Sequence, residues 1–288
     1  GSSGGSVDAR VNGGSTAFSA VEDTATISIS AVNDAPQFSL VFGDNSARAV
    51  TETNGSLTAN GAVTVSDVDG NNSVTSSVVS VVKTGVTTGI AANDAALLAM
   101  LSLSPATVIS SPATSASLDW SFNSGSEAFN HLAVGEQLTL TYTIRATDSA
   151  ATPLNANTTV TITVTGSNDG PTITVAIGNS DTATLTETNA ALTTNGTLTV
   201  GDLDRTDAAS ASVVLVSTSG TTTGPSGSLA SNNSQLLAML TLSPTSILSN
   251  TQTSNSLTWT FNSGSEAFNY LAVGQSLTLT YTVRVTDA

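Results

Sequence analysis

The sequence predicts an all-β chain, a tandem of antiparallel Greek-key sandwiches, and three observations carry that prediction. One stretch alternates strictly between apolar and polar side chains. The composition is that of strands and turns. The whole pattern occurs twice. In the alternating stretch, Leu138, Leu140, Tyr142, Ile144 and Ala146 interleave with Thr139, Thr141, Thr143, Arg145 and Thr147. Period two marks a strand with one buried face. At about 3.4 Å per residue it spans roughly 34 Å, which implies an elongated domain. Residues 277–286 repeat the pattern, and Val160, Ile162 and Val164 alternate with threonines in a strand that closes the unit.

Composition bounds the rest. The 288 residues leave room for about two domains of roughly 100–200 residues each. Hydrophobic residues make up 39 %, enough for ordinary cores. Only 9 % are charged, against a usual share of about 25 %. Thr, Ser, Asn, Gly and Val fill the gap. Six basic residues face 21 acids, a net charge of −15. That excludes nucleic acid and anionic membrane surfaces as partners, since both demand a basic surface, and it favours cations. Cysteine is absent, so an exported chain of this kind is stabilised by large sheets or by metal instead of disulfides. No apolar run approaches the roughly 20 residues of a transmembrane helix, and membrane insertion is not expected. The opening Gly1-Ser2-Ser3-Gly4-Gly5-Ser6 reads as a flexible linker.

The internal repeat sets the domain organisation. Asn33-Asp34-Ala35-Pro36 returns 135 positions later as Asn168-Asp169-Gly170-Pro171, and Glu52 and Asp67-Val68-Asp69 return at the same offset as Glu187 and Asp202-Leu203-Asp204. The offset then becomes 139: Trp120 returns as Trp259, and FNSGSEAFN at Phe122 returns unchanged at Phe261. The four extra residues fall in Gly/Ser/Thr-rich sequence that reads as a surface loop. The expected units are therefore residues 33–167 and 168–288. The second lacks a counterpart of the closing strand at residues 158–165. Residues 24–32 (TATISISAV) carry such a strand ahead of the first unit, so residues 1–32 read as a linker plus the closing strand of a preceding repeat. Two short helical turns are expected, one over residues 94–100 with an Asx cap and one after Ser124-Gly125-Ser126-Glu127. Trp120, Phe122, Phe129, Leu132 and Tyr142 should form the first core, and Trp259, Phe261, Phe268, Leu271 and Tyr281 the second.

Scarce acids in fixed places are the chemical signal. Calcium takes six to eight hard oxygen ligands, and aspartates at i and i+2 around a turn, such as Asp67/Asp69 and Asp202/Asp204, can converge on one ion. Without a cation, two carboxylates about 4 Å apart repel by roughly 4 kcal/mol at an effective dielectric of 20. Asp and Asn at turns equally serve as simple caps, and the context of Glu127 equally reads as a helix-start acid. Asp67-Val68-Asp69-Gly70-Asn71 opens like an EF-hand loop, but its position-12 ligand would fall on Val78. His131 is the only histidine and Tyr270 takes its place in the second copy, which argues against catalysis or metal ligation there. No Ser-His-Asp set can be assembled in both copies. Two-carboxylate sugar chemistry lacks an aromatic cleft at 4 % aromatic content.

The order of these motifs resembles the bacterial cadherin-like domain, in particular the VCBS-type repeat of giant RTX adhesins secreted by the type I route. The carrying stretches are NDAP at Asn33, TET around Glu52, DVD at Asp67, FNSGSEAFNHLAVGEQLTLTYTIRATD from Phe122, and NDGP at Asn168. The resemblance implies calcium (Ca2+) at the domain junctions. The 168–169 junction would draw on Glu52 and Glu127 from above, Asn168 and Asp169 from the linker, and Asp202, Asp204 and Asp287 from below. The 33–34 junction would use Asn33, Asp34, Asp67, Asp69 and Asp148. The Leu-Asp-Arg-Glu motif and the full Asp-x-Asn-Asp-Asn linker are absent, which implies about one or two ions per junction.

The resulting expectation is a non-enzymatic extender segment on the bacterial cell surface. Neighbouring repeats of the same protein are its partners, and it projects a ligand-binding tip for attachment or biofilm formation. Two other readings stand beside it. One is a module that itself binds protein or glycan. The other is a filament subunit that self-associates head to tail, residues 24–31 of one molecule completing the second unit of the next.

Overall fold

A computed structural model describes residues 24–224 and 227–287. Strands β1 (Gln37–Ser39), β2 (Ala47–Thr51), β3 (Thr58–Ser66) and β4 (Val74–Gly85) precede a one-turn helix, α1 (Asp94–Ala99). Then come β5 (Leu101–Ser104), β6 (Thr107–Ile109), β7 (Ser115–Asn123), β8 (Gln137–Asp148) and β9 (Asn155–Thr165). These form two sheets, ordered β1-β3-β7-β5 and β2-β9-β8-β4-β6. Every pairing is antiparallel except β2 with β9, which is parallel. This is the strand order of an immunoglobulin-type Greek-key sandwich. Its first strand is split, β1 closing one sheet and β2 the other.

The alternation read from sequence decides which face each strand buries. Along β8, Leu138, Leu140, Tyr142, Ile144 and Ala146 are fully buried, and Val160, Ile162 and Val164 of β9 lie beside them. From the facing sheet come Val63, Val65, Leu118, Trp120 and Phe122. The two polar tips in this core find backbone acceptors: Tyr142 Oη donates to the Leu97 carbonyl at 2.9 Å and Trp120 Nε1 to the Asn45 carbonyl at 2.7 Å. Gly61 sits across the ladder from Trp120. A Cβ there would lie 2.5 Å from the indole and 2.6 Å from the Asn45 carbonyl, so the indole seat requires glycine. Asn93 caps α1 through the Ala96 N–H, as the Asx reading predicts.

The second half repeats this plan with β10 (Thr172–Thr174), β11 (Thr193–Gly201), β12 (Ala209–Gly220), β13 (Thr223–Gly224) and β14 (Gly227–Ser228). Then follow α2 (Asn233–Ala238), β15 (Leu240–Ser243), β16 (Ser246–Leu248), β17 (Ser254–Asn262) and β18 (Leu277–Thr286). The sheets are β10-β11-β17-β15 and β16-β12-β18. The β13–β14 hairpin accounts for the four extra residues. Trp259 repeats its hydrogen bond, now to the Ser180 carbonyl, beside Gly196. Trp259, Phe261 and Phe268 are buried, but Leu271 and Tyr281 are only partly so.

Two expectations are corrected. The segment after Ser124 is a run of turns, not a helix. Glu127 does not open a first turn there. Its Oε1 accepts the N–H of Phe129, which holds a left-handed φ of 62°, and its Oε2 accepts those of Ala91 and Ala92. Glu266 Oε1 likewise accepts the N–H of Phe268 (φ 59°), while its Oε2 accepts the Ser231 hydroxyl. Residues 24–32 are irregular, with Ile27 86 % and Ile29 92 % exposed. The alternation fits a strand, but no sheet ladder among the described residues includes this segment. The part of the preceding-repeat reading that falls on residues 1–23 lies outside the described residues.

Candidate metal centre

The acids singled out by recurrence gather where the linkers enter each sandwich, and the same network is built twice. At the first linker, Asn33 Nδ2 donates to Asp148 Oδ2 at 3.0 Å, the Asp34 N–H donates to Asp69 Oδ2 at 2.8 Å, and the Asp69 N–H donates to Asp67 Oδ1 at 2.9 Å. At the second, Asn168 Nδ2 donates to Asp287 Oδ2 at 3.0 Å, the Asp169 N–H to Asp204 Oδ2 at 2.7 Å, and the Asp204 N–H to Asp202 Oδ1 at 3.1 Å. The spacing explains the geometry. The Asp-x-Asp pair leaves the end of β3 or β11 in a turn, so its carboxylates face the linker. Asp148 and Asp287 sit at the far ends of the long β8 and β18 strands, which bring them back to the same corner.

The sandwich above contributes Glu52. Its N–H bonds the Thr165 carbonyl at 2.9 Å, continuing the parallel β2–β9 ladder past Thr51. Its Oε1 accepts from the Ser167 N–H at 2.9 Å and from the Ser167 hydroxyl. The glutamate is thus fixed against the residue that precedes Asn168-Asp169. A second link joins the halves: the Arg205 N–H reaches the His131 carbonyl at 3.4 Å. Burial depresses the His131 pKa, and its ring packs edge-on to Phe129.

Whether this corner suits a cation can be asked of its oxygens. Glu52 is 1 % exposed, Asp202 4 %, Asp204 0 % and Asp169 8 %. Each keeps one buried carboxylate oxygen with no hydrogen-bond partner: Glu52 Oε2, Asp169 Oδ2, Asp202 Oδ2 and Asp204 Oδ1. Asp67 Oδ2 is orphaned in the same way at the first linker. Buried polar atoms are almost always paired, so the orphaned oxygens of Asp169, Asp202 and Asp204, with that of Glu52 held one residue upstream of the linker by Ser167, are of the type that suits a hard cation. The electrostatics agree. Burial pushes the Asp204 carboxyl up to about 7, and repulsion from Asp207, Asp169 and Asp202 adds to it. Asp202 is raised for the same reasons, with Asp287 and Asp207 as neighbours. A divalent ion would reverse that balance. Among the described residues no three acidic or histidine side chains already close on one point; each carboxylate also holds linker backbone or its neighbour.

Not every expected ligand sits alike. Asp148 is nearly saturated, accepting from Ala150, Leu154 and Asn33. Asp34 is exposed. Glu127 is spent on backbone N–H groups, as described above. One acid was missed. Asp207 lies close enough to Asp204 and Asp202 to raise their carboxyls, and its own is raised by burial, then by Asp287 and by Glu136 of the upper sandwich. The signal was present, since Asn72 holds the equivalent place 135 positions earlier and bonds Asn33 Oδ1 at 3.0 Å.

Fold and site together define a chain of immunoglobulin/cadherin-like sandwiches with acidic corners at their linkers. No protein-family model and no curated protein matches the sequence. Among solved structures, the crystal structure of mouse cadherin-23 EC22-24 is similar over 88 % of this chain and 66 % of its own, at 14 % identity and a TM-score of 0.29. The protocadherin gamma B7 extracellular cadherin domains 1-4 align over 88 % and 76 %, at 12 % identity and a TM-score of 0.26. The C-terminal domain of the Streptococcus agalactiae AgI/II polypeptide BspA aligns over 88 % and 90 %, at 9 % identity and a TM-score of 0.16. The sandwich assignment rests on the strand order rather than on these superpositions. Among the described residues no helix is long and apolar enough to cross a membrane.

Proposed function

We propose that this chain is a non-enzymatic extender of a bacterial surface adhesin, two repeats spanning residues 33–167 and 168–288 that calcium stiffens at their junction. The observation that carries this reading is the set of buried, unpartnered oxygens on Glu52, Asp169, Asp202 and Asp204. They come from both sandwiches and from the linker between them, so an ion held by all three ties two rigid bodies through one point. Asn168 and Asp287 brace the same corner, and Asp207 adds charge to it. When bound, the cation would supply charge neutralisation and a fixed interdomain angle. The chain's own residues supply the rest: Ser167 holds Glu52 in place, and the Asp169 and Asp204 N–H groups orient the carboxylates. The acidic, lysine-poor surface supports an extracellular setting with calcium abundant. Attachment through a distal tip, biofilm formation and type I secretion belong to the same reading, by the resemblance of the repeats.

Small-angle scattering of the chain in calcium and then in chelator tests it. A larger maximum dimension and a narrower distance distribution in calcium are expected. Identical profiles in the two buffers would remove calcium stiffening from the account.

A further inference from the structure

A cleft between the two sandwiches holds two polar atoms that the junction acids do not use. It encloses about 340 Å³ and is lined by Phe129, Asn130 and His131 from above and by Leu203, Arg205 and Thr253 from below. His131 is 8 % exposed, and its Nε2 is buried with no hydrogen-bond partner. The other ring nitrogen donates to the Val86 carbonyl, so Nε2 of the neutral ring is an acceptor. Asn130 Nδ2 donates to Asn54 Oδ1, and the Asn130 Oδ1 is a second buried acceptor left unpaired. Buried acceptors are normally paired, so this cleft calls for a donor.

The sequence delivers one. Gly89 holds a φ of +111°, and a Cβ there would lie 2.6 Å from His131 Cβ and 2.7 Å from its Cγ, so this loop backbone clamps the imidazole in the cleft. Arg205 is brought to the same place, because its N–H reaches the His131 carbonyl at 3.4 Å. With the Asn130 amide already committed, the lining side chains that can donate are Thr253, with one hydroxyl proton, and Arg205, with five N–H groups on a planar fork. Only the fork can serve a nitrogen and an oxygen acceptor together. Glu127 lines the cleft too, but its oxygens already accept the N–H groups of Phe129, Ala91 and Ala92.

Comparison of the two copies shows where this pair belongs. Tyr270 replaces His131 in the second sandwich, and its hydroxyl donates to the Thr221 carbonyl at 3.1 Å. Gly70 stands 135 positions before Arg205, so the first linker offers no guanidinium. Imidazole and guanidinium therefore occur together only at the 168–169 linker. Electrostatics favour the neutral ring that the contact needs. Burial lowers the His131 pKa from the usual 6.5 and Arg205 lowers it further, while the Val86 carbonyl, Glu127 and Glu136 pull it up. An imidazolium would offer no acceptor and would repel the guanidinium, so the contact is full above about pH 6.5 and is lost as pH falls through the lowered pKa.

We propose that Arg205 is a latch between the sandwiches, its guanidinium closing on His131 Nε2 and Asn130 Oδ1 to fix the interdomain angle by a contact that needs no metal and is particular to this pair of repeats. His131 is the single histidine, so its ring protons give one unambiguous NMR titration, and nitrogen-15 relaxation gives the tumbling time of each sandwich. Both are measured in chelator on the full chain, native and Arg205→Gln, so neither result depends on the calcium reading. Arg205 is only partly buried, and the variant leaves each sandwich folded. In the native chain the two tumbling times should match and His131 should titrate below 6.5. In Arg205→Gln the times should part, and the protonation constant of His131 should rise by about threefold or more, half a pKa unit. Arg205→Lys keeps the charge but not the fork, so it should hold the titration low and still loosen the tumbling. Thr253→Val should behave as the native chain does. Tumbling times that stay matched in Arg205→Gln, whether or not the titration moves, overturn the latch. So does a Thr253→Val chain that loosens as much as Arg205→Gln.

Discussion

Replacing Asp204 by Asn should invert the order of stability between calcium and chelator. The side chain is fully buried, one oxygen taking the Asp169 N–H and the other taking nothing. In the metal-free chain its carboxyl lies at about 7 instead of 3.8. At 1.36 kcal/mol per pKa unit, ionising it in the folded state costs about 4 kcal/mol. Solvent entry and side-chain relaxation reduce that to about 1–3 kcal/mol. The sign follows from linkage. A carboxyl whose folded pKa is raised contributes stability that is full below about pH 4 and is lost as pH rises through about 7. Asparagine keeps the shape and the acceptor for Asp169 but never ionises. In chelator at pH 8 the Asp204→Asn variant should therefore be more stable than the native chain by about 1–3 kcal/mol, and the gap should close by pH 4. In calcium the native chain gains RT ln(1 + [L]/Kd), about 2.7 kcal/mol at a hundredfold excess over Kd, and the variant loses most of that gain. Thermal unfolding followed by Trp259 fluorescence, in a Trp120→Phe background, reports the second sandwich alone. A variant less stable than the native chain in both buffers at pH 8 would refute the reasoning and make Asp204 a plain structural cap.

Other substitutions separate the roles of neighbouring residues. Gly61→Ala drives a methyl into the Trp120 indole and should cost about 1–3 kcal/mol in denaturant unfolding, calcium or not; an unchanged midpoint would mean the indole seat is not fixed. Glu127→Ala frees three backbone N–H groups and should destabilise the first sandwich by about 1–3 kcal/mol while leaving calcium affinity unchanged; a loss of affinity would return Glu127 to the ligand set. Glu52→Gln should do the reverse, weakening calcium binding at least tenfold with little effect in chelator; equal effects in both buffers would restrict Glu52 to its contact with Ser167.

Much of this was legible in the sequence because period-two alternation and recurrence are local signals. The five apolar positions of β8 name their own face, and Trp120, Phe122 and Phe129 could be placed in the core from their return at a fixed offset. What escaped depended on partners far along the chain. Residues 24–32 alternate as well as β9 does, yet a strand exists only where an edge accepts it. The Ser124–Glu127 context reads as a helix start, but Glu127 is drawn off to Ala91 and Ala92 of a loop 35 or 36 residues away. Asp207 was overlooked because its counterpart is Asn72, so a search for repeated acids passed over it. The acidic corners themselves were found because only 21 acids are present and several recur at one offset.

Calcium calorimetry at pH 7 on the native chain and on an Asp202→Asn/Asp204→Asn variant bears most directly on the account. The native chain should bind calcium below millimolar concentration and release protons as Asp204 ionises, visible as a heat that changes with the ionisation enthalpy of the buffer. The variant should lose the site between residues 168 and 204 and the proton release with it. A native chain that shows no binding at millimolar calcium, or a variant that binds and releases protons as the native chain does, would contradict the claim that these buried oxygens form a calcium junction.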